Sequence, residues 1–466
     1  MRSWPFTFLC ISVLLPALLG APLARGAHAK SRNATSSGPR PPRIAPHLEV
    51  GAIQYMEQSG RIKGANECLP VHIAQYSDVG IFYQLCNDEA LQADRKGGEL
   101  TPAIAVPDGL APRYHFWRRV YSLWSKDQYI LHVSEFPEIV LEVADISRVA
   151  DSVGDQQGEK MARKILDVHR RDYAALLMEL HRLRNNEAAW TPAMARVATT
   201  MRAISDANKY KLAAQSLRIQ RGQRDFIARG LPMASRYMGV IEDEFRKEGV
   251  PVELSRLAFV ESSFNLAAES KVGASGVYQL MEQTARQWVR VSEHIDERND
   301  PVKASRVAAR VLAQYYRILG SWPLAITAYN HGVNGLRSAI RNAGTDDLAE
   351  LVRTYRGNSF GFASKNFFSG YCAILATLQD SAKLFPEVQS MPPIAFETVR
   401  LAKPTSVSEV RKKHKMSYDE FTALNRDLSR RFVRMDGTLP QGYRVKVNER
   451  AIQQPSGSLK KTGSAK

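Results

Sequence analysis

The stretch DPVKASRVAARVLAQYYRILG, residues 300–320, leaves little choice of local structure. Asp300 and Pro301 suit the N-cap and first turn of a helix, because a carboxylate accepts from free backbone amides and proline loses nothing where no intrahelical bond is made. Ala304, Val307, Ala308, Val311, Leu312 and Tyr315 then recur every three or four residues as one apolar stripe, and Gly320 marks the stop. The spacing predicts a core helix, followed by a second one from near Pro323 into AITAYNHG (325–332). Similar periodicity over about 158–250, without a fixed-period repeat, predicts packed helices. Apolar, β-branched runs in QYILHVSEFPEIVLEVADI (128–146), interrupted by Pro137, predict a short strand pair. The class expected is mainly α.

With 44% hydrophobic and 24% charged residues, the 466-residue chain is globular rather than disordered and long enough for two to four domains. Arg2 followed by WPFTFLCISVLLPALLG (4–20) reads as a secretory signal peptide over 1–26; the run is short for a membrane span and carries Pro16, so export with cleavage is favoured over a retained anchor. Residues 27–50 read as a linker and 451–466 as a disordered tail, both poor in residues that can be buried. The expected location is the periplasm or cell envelope, with the cleaved protein soluble. Cys68, Cys86 and Cys372 then remain; an oxidising compartment permits a Cys68–Cys86 bond, but three is odd and the pairing stays open. Cys372 lies in the apolar GYCAILATL and is expected to be buried.

The net charge of +17 is spread among acidic residues with no nucleic-acid motif beside it. An anionic envelope polymer suits it as a partner, and nucleic acid is not expected. His115 and His132 have no companions at metal-ligand spacing and read as structural; no HExxH or CxxC occurs, so neither a metal nor another cofactor is expected.

In GVPVELSRLAFVESSF, Pro251 suits a helix start, and Leu254, Leu257, Ala258 and Glu261 fall at i, i+3, i+4 and i+7 on one face. Glu261 therefore points where apolar residues point. Burial disfavours the charged carboxylate, so its pKa should rise from about 4.3 toward the range of a general acid. A salt-bridged or helix-end Glu is the other reading, and residue spacing leaves both open. Downstream, SKVGASGVYQLMEQTA (270–285) is a Gly-rich bend before a helix, and AITAYNHG follows. Neither is a phosphate loop; both offer the amides, hydroxyls and aromatic faces that hold sugars.

Four ordered motifs, ESSFN (261–265), GASGVYQLM (273–281), DPVKASRVAA (300–309) and AYNHG (328–332), resemble those of the lytic murein transglycosylases with a goose-lysozyme-like (SLT) catalytic domain, most closely their membrane-bound D branch. The resemblance implies a lysozyme-like α-helical domain over 226–390; the apolar periodicity upstream makes 51–225 a largely helical N-terminal extension. It implies peptidoglycan glycan strands as substrate, with Glu261 as acid and then base: it protonates the oxygen between N-acetylmuramic acid and N-acetylglucosamine, then takes a proton from the sugar's C6 hydroxyl, closing an anhydro ring without water. It further implies that Gln279, Tyr329 and Asn330 line the saccharide groove, with Ser270, Tyr278 and Met281 as further substrate-binding residues. The chain departs from the family pattern at Leu266, Val277, Tyr278, Glu282, Ala363 and Phe367. A muramidase using water on the same fold, and a murein-binding scaffold with an impaired site, are the rival readings. Residues 395–450 run strand, helix, helix, strand, with capping boxes at Ser406/Glu409 and Ser417/Glu420. This βααβ module resembles LysM, the motif that binds N-acetylglucosamine chains; Asn425 matches a hallmark position, whereas KPTSV departs from the usual Gly-Asp-Thr-Leu. Cell-envelope protein partners and the oligomeric state are left open.

Overall fold

The computed structural model describes residues 104–449, apart from 148–149 and 152–153, and the backbone of two short strands, Pro70–Val71 (β1) and Phe82–Gln84 (β2). The expected signal peptide, linker, tail and Cys68–Cys86 pairing lie outside the described residues. The described chain is mostly helical and forms two compact units, one from 104–229 with 315–388 and the other from 230–314 with 389–449.

In the first unit the predicted strand pair is present as Gln128–Val133 (β3) and Val140–Asp145 (β4), antiparallel with Ile130 opposite Val143. It is part of a larger sheet of order β1-β2-β4-β3-β5, whose last strand, Leu217–Arg221 (β5), sets Gln220 opposite Ile130. β5 corrects the helical expectation for 158–250. The Lys209–Gln215 helix stops at Ser216, whose hydroxyl donates back to the Leu212 carbonyl, and Leu217 and Ile219 then alternate with polar residues and pack on the core. A period of two with an open edge of β3 beside it favours sheet over helix. Leu131, Val133 and Leu141 pack against Tyr173, Leu176, Leu177 and Leu180 of the Asp155–Arg182 helix. His132 is wholly buried against Phe116 and Phe362, and burial with the Arg218 charge lowers its pKa to about 3, in keeping with a structural role.

Also in this unit, the Phe362–Gln379 helix packs on the Ala111–Ser122 helix, where the Asn366 amide oxygen accepts from Trp117 Nε1 and Arg113 Nη1, each at 3.2 Å. Phe367 and the free thiol of Cys372 are buried on it, the latter as expected. The second predicted helix is Trp322–His331, with Pro323 in its first turn.

The helix predicted after Asp300 spans Pro301–Leu319, of which residues 301–314 belong to the second unit. Asp300 caps it, its Oδ1 accepting from the amides of Val302 (2.9 Å) and Lys303 (3.1 Å). Residues 397–447 give the predicted order, with Glu397–Arg400 (β6) antiparallel to Arg444–Val447 and the helices Val407–Lys413 and Tyr418–Leu424, both opened by complete capping boxes. Two small elements were not expected: a Thr405–Ser406 (β7) and Thr438–Leu439 (β8) ladder and a helix at Arg430–Arg434, each too short to carry a period.

Candidate active site

Glu261 stands near the end of a short helix, Leu257–Ser262, that continues from a 3₁₀ turn at Val252–Arg256. Residue spacing predicts one apolar face for this helix; the structure buries all six of its residues, with Leu257 and Ala258 at 0% exposure and Glu261 at 5%. A helix buried on every side leaves a carboxylate no solvent face to turn to. Desolvation raises the Glu261 pKa to about 8, so the proton stays on at neutral pH.

Immediately afterwards two consecutive residues enter the left-handed region, Ser263 (φ 52°) and Phe264 (φ 58°). Their amides donate to the carbonyls of Phe259 (2.8 Å) and Ala258 (3.2 Å), closing the last helical turn. A bulky residue with positive φ costs on the order of 1–3 kcal/mol and persists only where packing over-determines it. The Phe264 ring is buried against Phe259, with centroids 5.4 Å apart, and a Cβ at Gly230 would lie 2.1 Å from the Ser263 carbonyl oxygen. The turn that follows Glu261 is thus held by close packing from two sides.

The Gly-rich bend forms the next layer. Gly273 (φ 85°), Gly276 (φ 76°) and Gln279 (φ 46°) all use the left-handed region, and Ser270 braces the start, its Oγ accepting from the Ala274 amide at 2.9 Å. Gln279 is nearly buried, its Nε2 donating to the carbonyls of Gly276 (2.8 Å) and Ala268 (3.2 Å). Tyr278 is completely buried and its hydroxyl donates to the Ser255 carbonyl at 2.9 Å, so the ring supports the bend from beneath and presents no surface to a ligand. Met281 is 45% exposed and Val272 50%, leaving apolar surface at the rim. The bend is tied to the Glu261 helix by Ser262, whose Oγ is 2.9 Å from the Val277 carbonyl.

Three positioning side chains were not found from sequence. Ser262 is one; Arg298 and Asn299 are the others. Arg298 Nη1 donates to the carbonyls of Gly273 (2.8 Å) and Leu280 (3.1 Å), at the two ends of the bend, while Asp296 holds the rest of the guanidinium at 2.7 Å. The Ser275 hydroxyl donates to Asn299 Oδ1 at 2.8 Å. In sequence, no local signal distinguishes the buried Arg298 from its charged neighbours.

Glu261, Ser270, Tyr278, Gln279 and Met281 therefore share one compact unit. Tyr329 and Asn330 belong to the other, half-buried near the end of the Trp322–His331 helix. There Asn330 Oδ1 accepts from Ser364 Oγ at 3.4 Å, and His331 Nδ1 lies 3.0 Å from the same hydroxyl. Among the described residues no group of three or more His, Cys, Asp or Glu side chains is arranged to hold a metal ion.

Among curated proteins, membrane-bound lytic murein transglycosylase D of Escherichia coli (strain K12) is 31% identical over 110 residues, 23% of this chain and 24% of that protein. A putative tributyltin chloride resistance protein of Alteromonas sp. (strain M-1) is 34% identical over 111 residues, 23% of this chain and 54% of that protein. The chain thus spans about a quarter of the first relative's length and about half of the second's. Among solved structures, the lytic transglycosylase Slt of Pseudomonas aeruginosa, an inactive mutant, is 18% identical, with 65% of this chain and 50% of that one covered at a TM-score of 0.29, too distant to bear on the arrangement seen here. Residues 239–352, which include Glu261, the Gly-rich bend and the Tyr329–Asn330 pair, match the family model of the transglycosylase SLT domain.

Proposed function

We propose that the protein is a peptidoglycan lytic transglycosylase that cleaves the bond between N-acetylmuramic acid and N-acetylglucosamine without water. The observation that carries this reading is Glu261, a buried carboxyl whose pKa is raised to about 8, inside the SLT match. In the first step its proton passes to the glycosidic oxygen, the bond from C1 of the muramic acid to that oxygen breaks, and N-acetylglucosamine leaves as an alcohol. In the second the Glu261 carboxylate removes the proton of the C6 hydroxyl on the same muramic acid, and O6 bonds to C1. Glu261 ends protonated, as it began, and the product carries a 1,6-anhydro ring. A single carboxyl that is acid first and base second is best served by a pKa near the working pH.

Gln279, Ser270, Tyr329 and Asn330 are the proposed saccharide contacts, with Met281 offering an apolar rim; Tyr278, being buried, is assigned to hold the bend rather than to touch sugar. The C-terminal residues 395–450 are proposed to be a LysM-like module on the strength of their strand, helix, helix, strand order. Action on peptidoglycan places the working protein in the cell envelope; among the described residues no helix is long and apolar enough to cross a membrane.

Digestion of purified sacculi, with mass spectrometry of the released fragments, tests the reading. Anhydromuramoyl ends are expected; reducing ends alone mean a muramidase, and binding without release means a scaffold. Glu261→Gln should lower release by about 10²- to 10⁴-fold while the fold is kept. Equal digestion by the variant removes Glu261 from the mechanism.

A further inference from the structure

The C-terminal module is knit to the segment that grips the bend by buried charges. Lys446 Nζ lies 2.6 Å from both carboxylate oxygens of Asp300, with the two side chains 4% and 1% exposed. Lys303, on the first turn of the helix that Asp300 caps, meets Asp427 Oδ2 at 2.7 Å and Glu297 at 2.9 Å. Asp427 Oδ2 also accepts from the Tyr443 hydroxyl at 2.6 Å, and Lys303 Nζ sits 4.4 Å above the Tyr443 ring. The main chains join as well: the Asp296 amide donates to the Asp427 carbonyl (2.8 Å), the Ser429 amide to the His294 carbonyl (2.9 Å), and Ile295 pairs with Leu428.

Those attachments fall on residues 294–303, the stretch that holds the bend through Arg298 and Asn299. The fit is close: a Cβ at Gly276 would lie 1.9 Å from the Arg298 carbonyl oxygen, so the bend and that stretch meet backbone to backbone with no room for a side chain between them. From Asp427 to Asp296, from Asp296 to Arg298, and from Arg298 to Gly273 and Leu280, every step is a hydrogen bond or ion pair of 3.1 Å or less. Asn425, the position matching a sugar-module hallmark, is spent internally: its amide bonds the Phe421 carbonyl (3.0 Å) and both the carbonyl and the amide of Lys446 (2.8 Å each). It fixes the strand that delivers Lys446.

Buried ion pairs are poor sources of net stability, because desolvation offsets most of the attraction, but they penalise every arrangement in which one partner is missing. A module that only captured sugar would need a tether and an open face. It would not need a buried Lys446–Asp300 pair and a half-buried Lys303–Asp427 pair joining it to the residues beside the bend.

We propose that the C-terminal module is a fixed part of the catalytic unit, and that Lys446, Asp427 and Tyr443 are positioning residues that set the Gly273–Met281 bend through Asp296, Arg298 and Asn299. The catalytic half of this inference rests on the transglycosylase reading; the mechanical half does not.

The test uses the full chain with Lys446→Met, Asp427→Asn and the milder Tyr443→Phe, which keeps the question decidable if the first two fail to fold. Amide hydrogen exchange is read at Gly276, Gln279 and Leu280, whose N–H groups donate to the carbonyls of Ala268, Gly276 and Ser275, against the Arg224–Lys247 helix as internal reference. Release of anhydro products from sacculi is measured in parallel. Expected are at least a tenfold loss of protection confined to the bend, a kcat lowered at least tenfold and a KM within about twofold of the parent, with Tyr443→Phe intermediate. Unchanged bend protection overturns the proposal, as does a loss spread evenly over the unit, or a raised KM with kcat intact, which would mark a sugar-capturing module. A parent that releases nothing refutes the transglycosylase reading instead, and the exchange pattern alone then decides the mechanical coupling.

Discussion

Replacing Glu261 by glutamine should stabilise the protein, and increasingly so as the pH rises. The folded state raises the carboxyl pKa from 4.5 to about 8 by burial, so between those values the native chain binds a proton that the unfolded chain has lost. Stability therefore falls with rising pH: the contribution of the bound proton is fully present below about pH 4.5 and is lost as the pH climbs through about 8. At about 1.4 kcal/mol per unit, a shift of this size corresponds to roughly 3–5 kcal/mol. Glutamine resembles the protonated acid in shape and cannot ionise, so it escapes that loss. Urea unfolding of parent and variant at intervals from pH 5 to 9, following the transition of the unit that contains residue 261, should show near-equal midpoints at the acid end. The variant should gain by roughly 1.4 kcal/mol per pH unit up to about pH 8 and level off above it. A difference that stays flat across this range would mean that the folded and unfolded carboxyls titrate alike, and the case for a buried proton donor would fail. The same variant is the one expected to lose catalysis, so a gain in stability accompanied by a loss of activity would show the site held in place at a stability cost.

Further outcomes can be checked in the same preparations. Product release by the parent should decline on the alkaline side as Glu261 loses its proton near pH 8, read from a pH–rate profile on sacculi. Two neighbouring glycines should respond differently to alanine: at Gly276, with φ 76° and a carbonyl oxygen 1.9 Å from the new Cβ, the cost should exceed about 3 kcal/mol and activity should vanish, whereas at Gly273, with φ 85° but open space, only the backbone cost of about 1–2 kcal/mol applies, both measured by denaturant midpoints. Asn425→Ala removes bonds to Phe421 and Lys446 and should lower stability by about 2–4 kcal/mol in thermal or urea unfolding; weakened binding to N-acetylglucosamine oligomers with unchanged stability would instead give Asn425 to a ligand.

Much of this protein could be read from local order in the chain. Asp300, Pro301, the stripe to Tyr315 and Gly320 specify a helix with both its ends, and Ser406 with Glu409 and Ser417 with Glu420 specify two more, because capping and periodicity involve residues within a few positions of one another. Glu261 was visible for the same reason: a carboxylate among consecutive apolar residues is conspicuous on any short window. What the sequence could not disclose depends on partners far along the chain. β5 reads as a continuation of helix until β3 offers an edge, Tyr278 reads as a substrate-binding residue until its hydroxyl reaches Ser255, and Arg298 goes unmarked until it closes on Gly273 and Leu280. Most of all, Lys446 and Asp300 stand 146 positions apart, and nothing in the neighbourhood of either announces the other. Local propensity and patterning set which segments become helices and where a proton could be kept; only the folded chain, by bringing distant charges out of water together, decided what holds that site in register.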